Sequence, residues 1–154
     1  MIFLYSSIFL LTFFLDRITK FWAFNYLQNK TVSCCRFLDF SLHWNRGVSW
    51  GMFGESSRFG FYALNFFILL VIGFFVFYTF DQYRQKQSVF FETFVLSGAI
   101  SNFFDRIYYG AVIDFIDFHV SQWHWPVFNV ADAFIVIGIG GIILRGFLWA
   151  LRKK

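Results

Sequence analysis

Charge is scarce in this chain of 154 residues: Lys and Arg number 13, Asp and Glu 9, and together they make up 14% of the sequence. A soluble domain carries about a quarter of its residues charged, and so few polar groups would not cover its surface. Cysteine occurs only as the adjacent Cys34 and Cys35, too little for the disulfide framework of a small secreted module. His43, His119 and His124 contain no His-x-x-x-His pair, so the helical spacing of a zinc hydrolase is missing. The N-terminal segment lacks a basic start and a small-x-small cleavage site, and is expected to stay as a helix rather than leave as a signal peptide. What the chain has is apolar bulk: 58% hydrophobic and 26% aromatic residues, 27 of them Phe, and a mean hydropathy of +0.59. These values exclude a soluble globular enzyme and a disordered chain, and imply one integral membrane domain over residues 1–154. The Phe excess carries no function of its own, since nucleotide bias alone enriches Phe.

Apolar patterning predicts four spans, at about residues 4–27, 59–80, 88–106 and 127–148. The first is polar in its later half, with Asp16, Arg17 and Lys20, and the second has no charge and one amide, Asn65. The third carries Glu92 and the small residues Ser97, Gly98, Ala99 and Ser101, which permit close helix approach. Through residue 144 the fourth holds Asp132 as its one charge, with Gly138, Gly140 and Gly141 in its later half. The linker 28–58 alternates over 37–44 and predicts a pair of short strands at the membrane surface, while 107–126 has the Tyr, Trp and His of an interfacial segment. The expected fold is an all-α integral membrane protein, four transmembrane helices with a small extracytoplasmic β-containing linker.

Alternate crossing brings Asp16, Asp105, Asp114, Asp117 and Asp132 to one membrane face and leaves Asp81 and Glu92 near the other. Carboxylates are costly in apolar helices, so their convergence marks a site. Orientation rests on a near tie of basic residues: Lys30, Arg36, Arg46 and Arg58 in the first linker against Arg84, Lys86, Arg152, Lys153 and Lys154. The basic tail tips it towards both termini inside, with 28–58 outside. The net charge of +4 is dispersed over linkers and ends, which points to anionic phospholipid headgroups as partner and not to nucleic acid.

Asp114 and Asp132 are the pair with most chemical potential. Asp132 is expected about five residues into its span, roughly 7 to 8 Å below the apolar boundary, and Asp114 lies in an apolar run, 111–116, expected to re-enter that boundary. Two desolvated carboxylates brought together share one proton. That is the condition for an aspartic peptidase dyad, in which one member takes a proton from water and the other donates to the scissile carbonyl. Spacing alone leaves proton transport and simple pairing open, although the apolar middle of every span disfavours a relay. Asp16 stands four residues before Lys20 and reads as its neutralising partner. Asp105 has Arg106 beside it as expected partner, and Asn102 one turn earlier. Asp117, nearest the aqueous linker, reads as solvated. Neither cysteine has a basic neighbour apart from Arg36, and Ser6, Ser49 and Ser101 have no Lys or His at dyad spacing.

Five runs in order then carry a resemblance: Asp16-Arg17-Ile18-Thr19-Lys20, Asn45-Arg46-Gly47-Val48-Ser49-Trp50-Gly51, residues 97–106 (SGAISNFFDR), Gly110-Ala111-Val112-Ile113-Asp114-Phe115 and Phe128-Asn129-Val130-Ala131-Asp132. Together they resemble the motifs of the lipoprotein signal peptidases, or signal peptidase II, over nearly the whole chain. The resemblance implies an aspartic endopeptidase of the bacterial cytoplasmic membrane, its site near the extracytoplasmic face, that removes the signal peptide from prolipoproteins by cutting before a diacylglyceryl-cysteine. It implies Asp114 and Asp132 as the catalytic pair, with Asp16, Lys20, Asn45, Gly47, Asn102, Asp105, Arg106 and Asn129 binding substrate or supporting the site. No cofactor or metal is implied, and the expected unit is a monomer. Ser97 and Ser101 stand where the family commonly has glycine, and Ser49-Trp50 where it has Ala-Phe, each adding volume.

Overall fold

The computed structural model describes residues 1–47 and 58–153. Its elements in order are α1 (Ile2–Tyr26), β1 (Val32–Cys35), β2 (Leu38–Asn45), α2 (Arg58–Arg84), α3 (Phe90–Tyr109), β3 (Val112–Val120), β4 (Trp123–His124) and α4 (Val130–Arg152). Among the described residues three helices, those of α1, α2 and α4, are long and apolar enough to cross a membrane. They turn Phe3, Phe59, Phe74 and Val136 outward, a continuous apolar surface of the kind that lipid covers. α3 differs in what it hides. It packs against α1, α2 and α4, and Glu92, Thr93, Ser97, Ser101, Asn102 and Asp105 are all buried on it. Its polar residues face protein, where partners exist, and this polarity is why it falls short of the apolar content that the span at 88–106 was expected to have.

Close approach of α3 and α4 depends on small residues. A Cβ added at Gly98 would lie 2.5 Å from the Ala131 carbonyl oxygen, and one at Gly138 would lie 2.7 Å from that of Phe91. Neither backbone atom can swing aside as a side-chain tip can. At the far end of the same helix pair, Arg145 of α4 is paired with the buried carboxylate of Glu92.

α3 stops at Gly110, whose φ of 73° is left-handed and whose N–H bonds back to the Arg106 carbonyl. The chain then enters β3, the longest strand of a four-stranded antiparallel sheet ordered β1-β2-β3-β4. The expected strand pair in the first linker is present, but the second linker supplies half of the sheet, pairing Trp44 with Ile113 and Asn45 with Val112. Residues 111–115 are buried without interruption, so the run lacks the two-residue alternation of a half-exposed strand. It is a strand packed against the helices.

Phe128 also belongs to the sheet, its N–H bonding to the Ile116 carbonyl at 3.1 Å and its carbonyl accepting from the Ile116 N–H at 2.8 Å. The fourth helix therefore begins at Val130 instead of 127, and Asp132 stands in its first turn rather than five residues into a span. Ala23 and Leu27 of the α1 end pack with Ile113 and Phe115 as the apolar cluster that fixes the sheet on the bundle.

Gly98→Ala is expected to destabilise the protein by about 1–3 kcal/mol through overpacking, read as a lower thermal midpoint in detergent. Gly140, whose added Cβ would meet nothing within 4 Å, should tolerate Ala without loss. Equal midpoints for the two variants would refute the tight α3–α4 seam.

Candidate active site

The centre of the site is an ammonium group with no access to solvent. Lys20 is 0% exposed, and its Nζ lies 2.8 Å from both Asp16 Oδ2 and Asp105 Oδ2 while donating to Asn102 Oδ1 at 2.6 Å. The one-turn spacing of Asp16 and Lys20 on α1 makes the first contact; α3 brings the other two. Arg17 Nη1 reaches Asp105 Oδ1 at 2.5 Å, and its guanidinium covers the Phe104 ring at 5.0 Å from the centroid. Two cations thus meet two carboxylates. Asp16 is completed by the Ala131 N–H at 2.8 Å and the Ser101 hydroxyl at 2.6 Å. Thr12 donates to Ser97 Oγ at 2.7 Å, so both serines in the third motif add a tie between α1 and α3 as well as volume.

The expected Asp105–Arg106 pair does not form. Neighbouring residues on a helix point about 100° apart, and Asp105 takes Arg17, Lys20 and the Ile113 N–H, at 3.3 Å. Arg106 turns the other way: its Nη1 donates to the Asn102 carbonyl at 3.5 Å, and it lies within electrostatic reach of Asp114 and Asp132. Sequence spacing gives Arg17 no partner, and the available sign was a second cation inside an apolar helix.

Asp114 projects from β3 and Asp132 from the start of α4, and two asparagines connect them. Asn129 Nδ2 donates to Asp114 Oδ1 at 2.6 Å and to Asn102 Oδ1 at 3.1 Å. Asn102 Nδ2 donates to Asp132 Oδ1 at 2.8 Å. Asn129 and Asp132, three residues apart, also form the capping box of α4: the Asn129 side chain accepts from the Asp132 N–H, and Asp132 Oδ2 accepts from the Asn129 N–H. One hydrogen-bond path therefore runs from Lys20 through Asn102 to both carboxylates.

β2 contributes Asn45, whose Nδ2 donates to Asp114 Oδ2 at 2.9 Å while its Oδ1 accepts from the Gly47 N–H at 2.8 Å. Gly47 has φ of +74°, and a Cβ there would stand 2.7 Å from Leu64 Cδ2 and 3.3 Å from Arg106 Nη2. A side chain would be strained and would crowd Arg106. Val48, Ser49, Trp50 and Gly51, the rest of that motif, lie outside the described residues.

Asp114, on the sheet and outside the spanning helices, is 2% exposed. Burial pushes its carboxyl from 3.8 up to about 6, helped by the charge of Asp132 and opposed by the hydrogen bonds from Asn45 and Asn129 and by Lys20. Asp117 does not join the other four carboxylates. Three residues along the strand it faces the opposite way, and it is not solvated as expected: its side chain is 14% exposed and bonded to His124 Nδ1 at 2.9 Å.

The profile of the family described as Signal peptidase (SPase) II matches residues 8–148. The chain belongs to the signal peptidase II family. A lipoprotein signal peptidase of Thermodesulfovibrio yellowstonii is 38% identical over 134 residues, 86% of each chain. One of Pelagibacter ubique is 35% identical over 149 residues, 95% of this chain and 89% of the relative. A bacterial membrane enzyme structure obtained by the in meso method at 2.3 Å resolution has a TM-score of 0.80 at 22% identity, over 100% of this chain and 93% of that one, and shares the fold. The membrane character inferred from composition and the signal peptidase II resemblance both agree with these findings.

The raised carboxyl of Asp114 makes a signed prediction. Between the unfolded value near 3.8 and the folded value of about 6 the native state holds the extra proton, so stability is full below that window and falls as pH rises through it. The loss amounts to up to about 3 kcal/mol over two pH units. Thermal midpoints in detergent from pH 4 to 7 should show wild type losing stability relative to Asp114→Asn as pH rises. A difference that does not vary with pH would contradict the burial of an ionisable Asp114.

Proposed function

We propose that this signal peptidase II family member removes the signal peptide from prolipoproteins by aspartic hydrolysis, cutting before the diacylglyceryl-cysteine, with Asp114 and Asp132 as the catalytic pair. The observation that carries the reading is the placement of two carboxylates from different elements on one asparagine bridge, Asn129 and Asn102, with burial favouring a proton on Asp114. In the proposed step, ionised Asp132 takes a proton from water as the oxygen attacks the scissile carbonyl carbon. Protonated Asp114 gives its proton to the carbonyl oxygen, leaving a gem-diol. Collapse breaks the C–N bond: Asp132 returns its proton to the departing cysteine nitrogen, and a diol hydroxyl returns one to Asp114.

The remaining roles follow from the contacts. Asn129, Asn102 and Asn45 orient the pair, Arg106 supplies the positive charge facing it, and Gly47 allows the linker to pass close to Arg106. Asp16, Lys20 and Asp105 act as the support on which the asparagines rest. A proton relay has less to recommend it, because Glu92 near the other end of α3 is already paired with Arg145.

Residues 1–154 form one peptidase domain in this reading, with α3 as a fourth crossing whose polar face is screened by α1, α2 and α4. The proposed setting is the bacterial cytoplasmic membrane, with both termini inside and the sheet and dyad at the extracytoplasmic face. The proposed unit is a monomer in phospholipid, which its mass in detergent would check.

Asp114→Asn and Asp132→Asn should each fold and still bind lipidated prolipoprotein, while cleavage falls at least about a hundredfold, the range of a lost acid or base. Asp105→Asn should instead lower the thermal midpoint. Turnover of either dyad variant within about tenfold of wild type, a barrier change below about 1.4 kcal/mol, would remove that residue from the mechanism. For topology, a cysteine at Lys30 in a background lacking Cys34 and Cys35 should react with an impermeant maleimide on intact cells, and one at Lys153 should not; the opposite pattern would invert the orientation.

A further inference from the structure

A second group of polar side chains lies away from the dyad on the outer end of the sheet. Asp117 and His119 are two residues apart on β3 and so share a face. His119 is the direct cross-strand partner of His124 on β4, which places the second imidazole on that same face. One ligand atom from each of Asp117, His119 and His124 lies within 4.8 Å of the others. His spacing along the sequence misses this arrangement because the hairpin register, not a helical turn, brings the rings together.

Two further observations point to a cation. His119 Nδ1 is buried and has no hydrogen-bond partner among the described residues, although a buried ring nitrogen normally has one. Asp117 also stands directly opposite Asp39 of β2, a like-charged cross-strand pair that destabilises a sheet unless a positive charge offsets it.

We propose that Asp117, His119 and His124 bind one divalent cation of the zinc class and that the cation pins the β3–β4 hairpin. Two imidazoles and a carboxylate are the donor set that suits zinc, with a water completing four-coordination. The 2.9 Å between His124 Nδ1 and Asp117 Oδ1 is near the ligand-to-ligand edge of about 3.3 Å that bonds of about 2.0–2.1 Å require in a tetrahedron. The His124 side chain is 53% exposed, so it is free to turn and close the remaining gap. Binding would replace the His124–Asp117 hydrogen bond with bonds to the cation. The hairpin leads into Phe128 and the Asn129 cap of α4, so the cation would stiffen the approach to Asp132 without touching it.

The test uses the full chain in detergent, without an affinity tag and with Cys34 and Cys35 changed to Ser to remove competing thiolates. Equilibrium dialysis against Zn2+ at pH 7.5 should give about one ion per chain, with a raised thermal midpoint. Co2+ should give a visible d–d band. His124→Gln, at the exposed end of the hairpin, and Asp117→Asn, which keeps the side chain's shape, should lower Zn2+ affinity at least about tenfold and abolish the midpoint shift; unchanged prolipoprotein cleavage without added metal confirms their fold. Absence of stoichiometric Zn2+ from the wild-type-site protein would overturn the proposal, as would binding and a midpoint shift that survive in both His124→Gln and His119→Gln.

Discussion

A lysine ammonium sealed inside an apolar bundle is tolerable only when anions and acceptors surround it, because an isolated buried charge costs several kcal/mol. Lys20 meets that condition with Asp16, Asp105 and Asn102, and satisfying it fixes the rest of the molecule. α1 must present its polar turn to α3, and α3 must turn Asn102 and Asp105 the same way. Asp16 then holds the first turn of α4 through the Ala131 N–H. The glycines of the α3–α4 seam are the steric counterpart of this electrostatic constraint, since the bonds are made only when the two backbones touch.

The same constraint separates support from chemistry. Asp16 and Asp105 are each matched to a cation, whereas Asp114 and Asp132 are held mainly by amides: Asn45, Asn129 and Asn102 donate to them without neutralising them. An amide fixes a carboxylate in place and still leaves its proton exchangeable. Arg106 and the Lys20 ammonium both act on the pair, and Lys20 is already matched by Asp16 and Asp105.

Much of this was legible in the sequence, and the exceptions have physical causes. Three of the four expected spans, α1, α2 and α4, follow from apolar run lengths, while α3 forms as a helix of lower apolar content because its polar face is buried against the others; the Asp16–Lys20 contact follows from one-turn spacing. Pairings made by tertiary structure were not legible. Arg17 displaces Arg106 as the partner of Asp105 because helix geometry points i and i+1 apart. β3 hides as an apolar run because both of its faces are covered around Ile113 and Phe115. The start of α4 shifts to Val130 because Phe128 is drawn into the sheet, which turns Asp132 from a carboxylate about five residues into its span into a capping residue. His119 and His124 meet only through a hairpin register that no sequence spacing announces.

If Lys20 is the support on which the site rests, its removal must show first as lost stability. Lys20→Met keeps the apolar stem and deletes the ammonium, leaving Asp16 and Asp105 short of charge compensation. The measurement is the thermal or denaturant stability of Lys20→Met in detergent beside wild type and Asp114→Asn. A loss of about 3–5 kcal/mol, the cost of breaking a buried pair, is expected for Lys20→Met alone. A Lys20→Met protein as stable as wild type that has lost turnover as completely as Asp114→Asn would contradict the account and move Lys20 from the support into the chemistry.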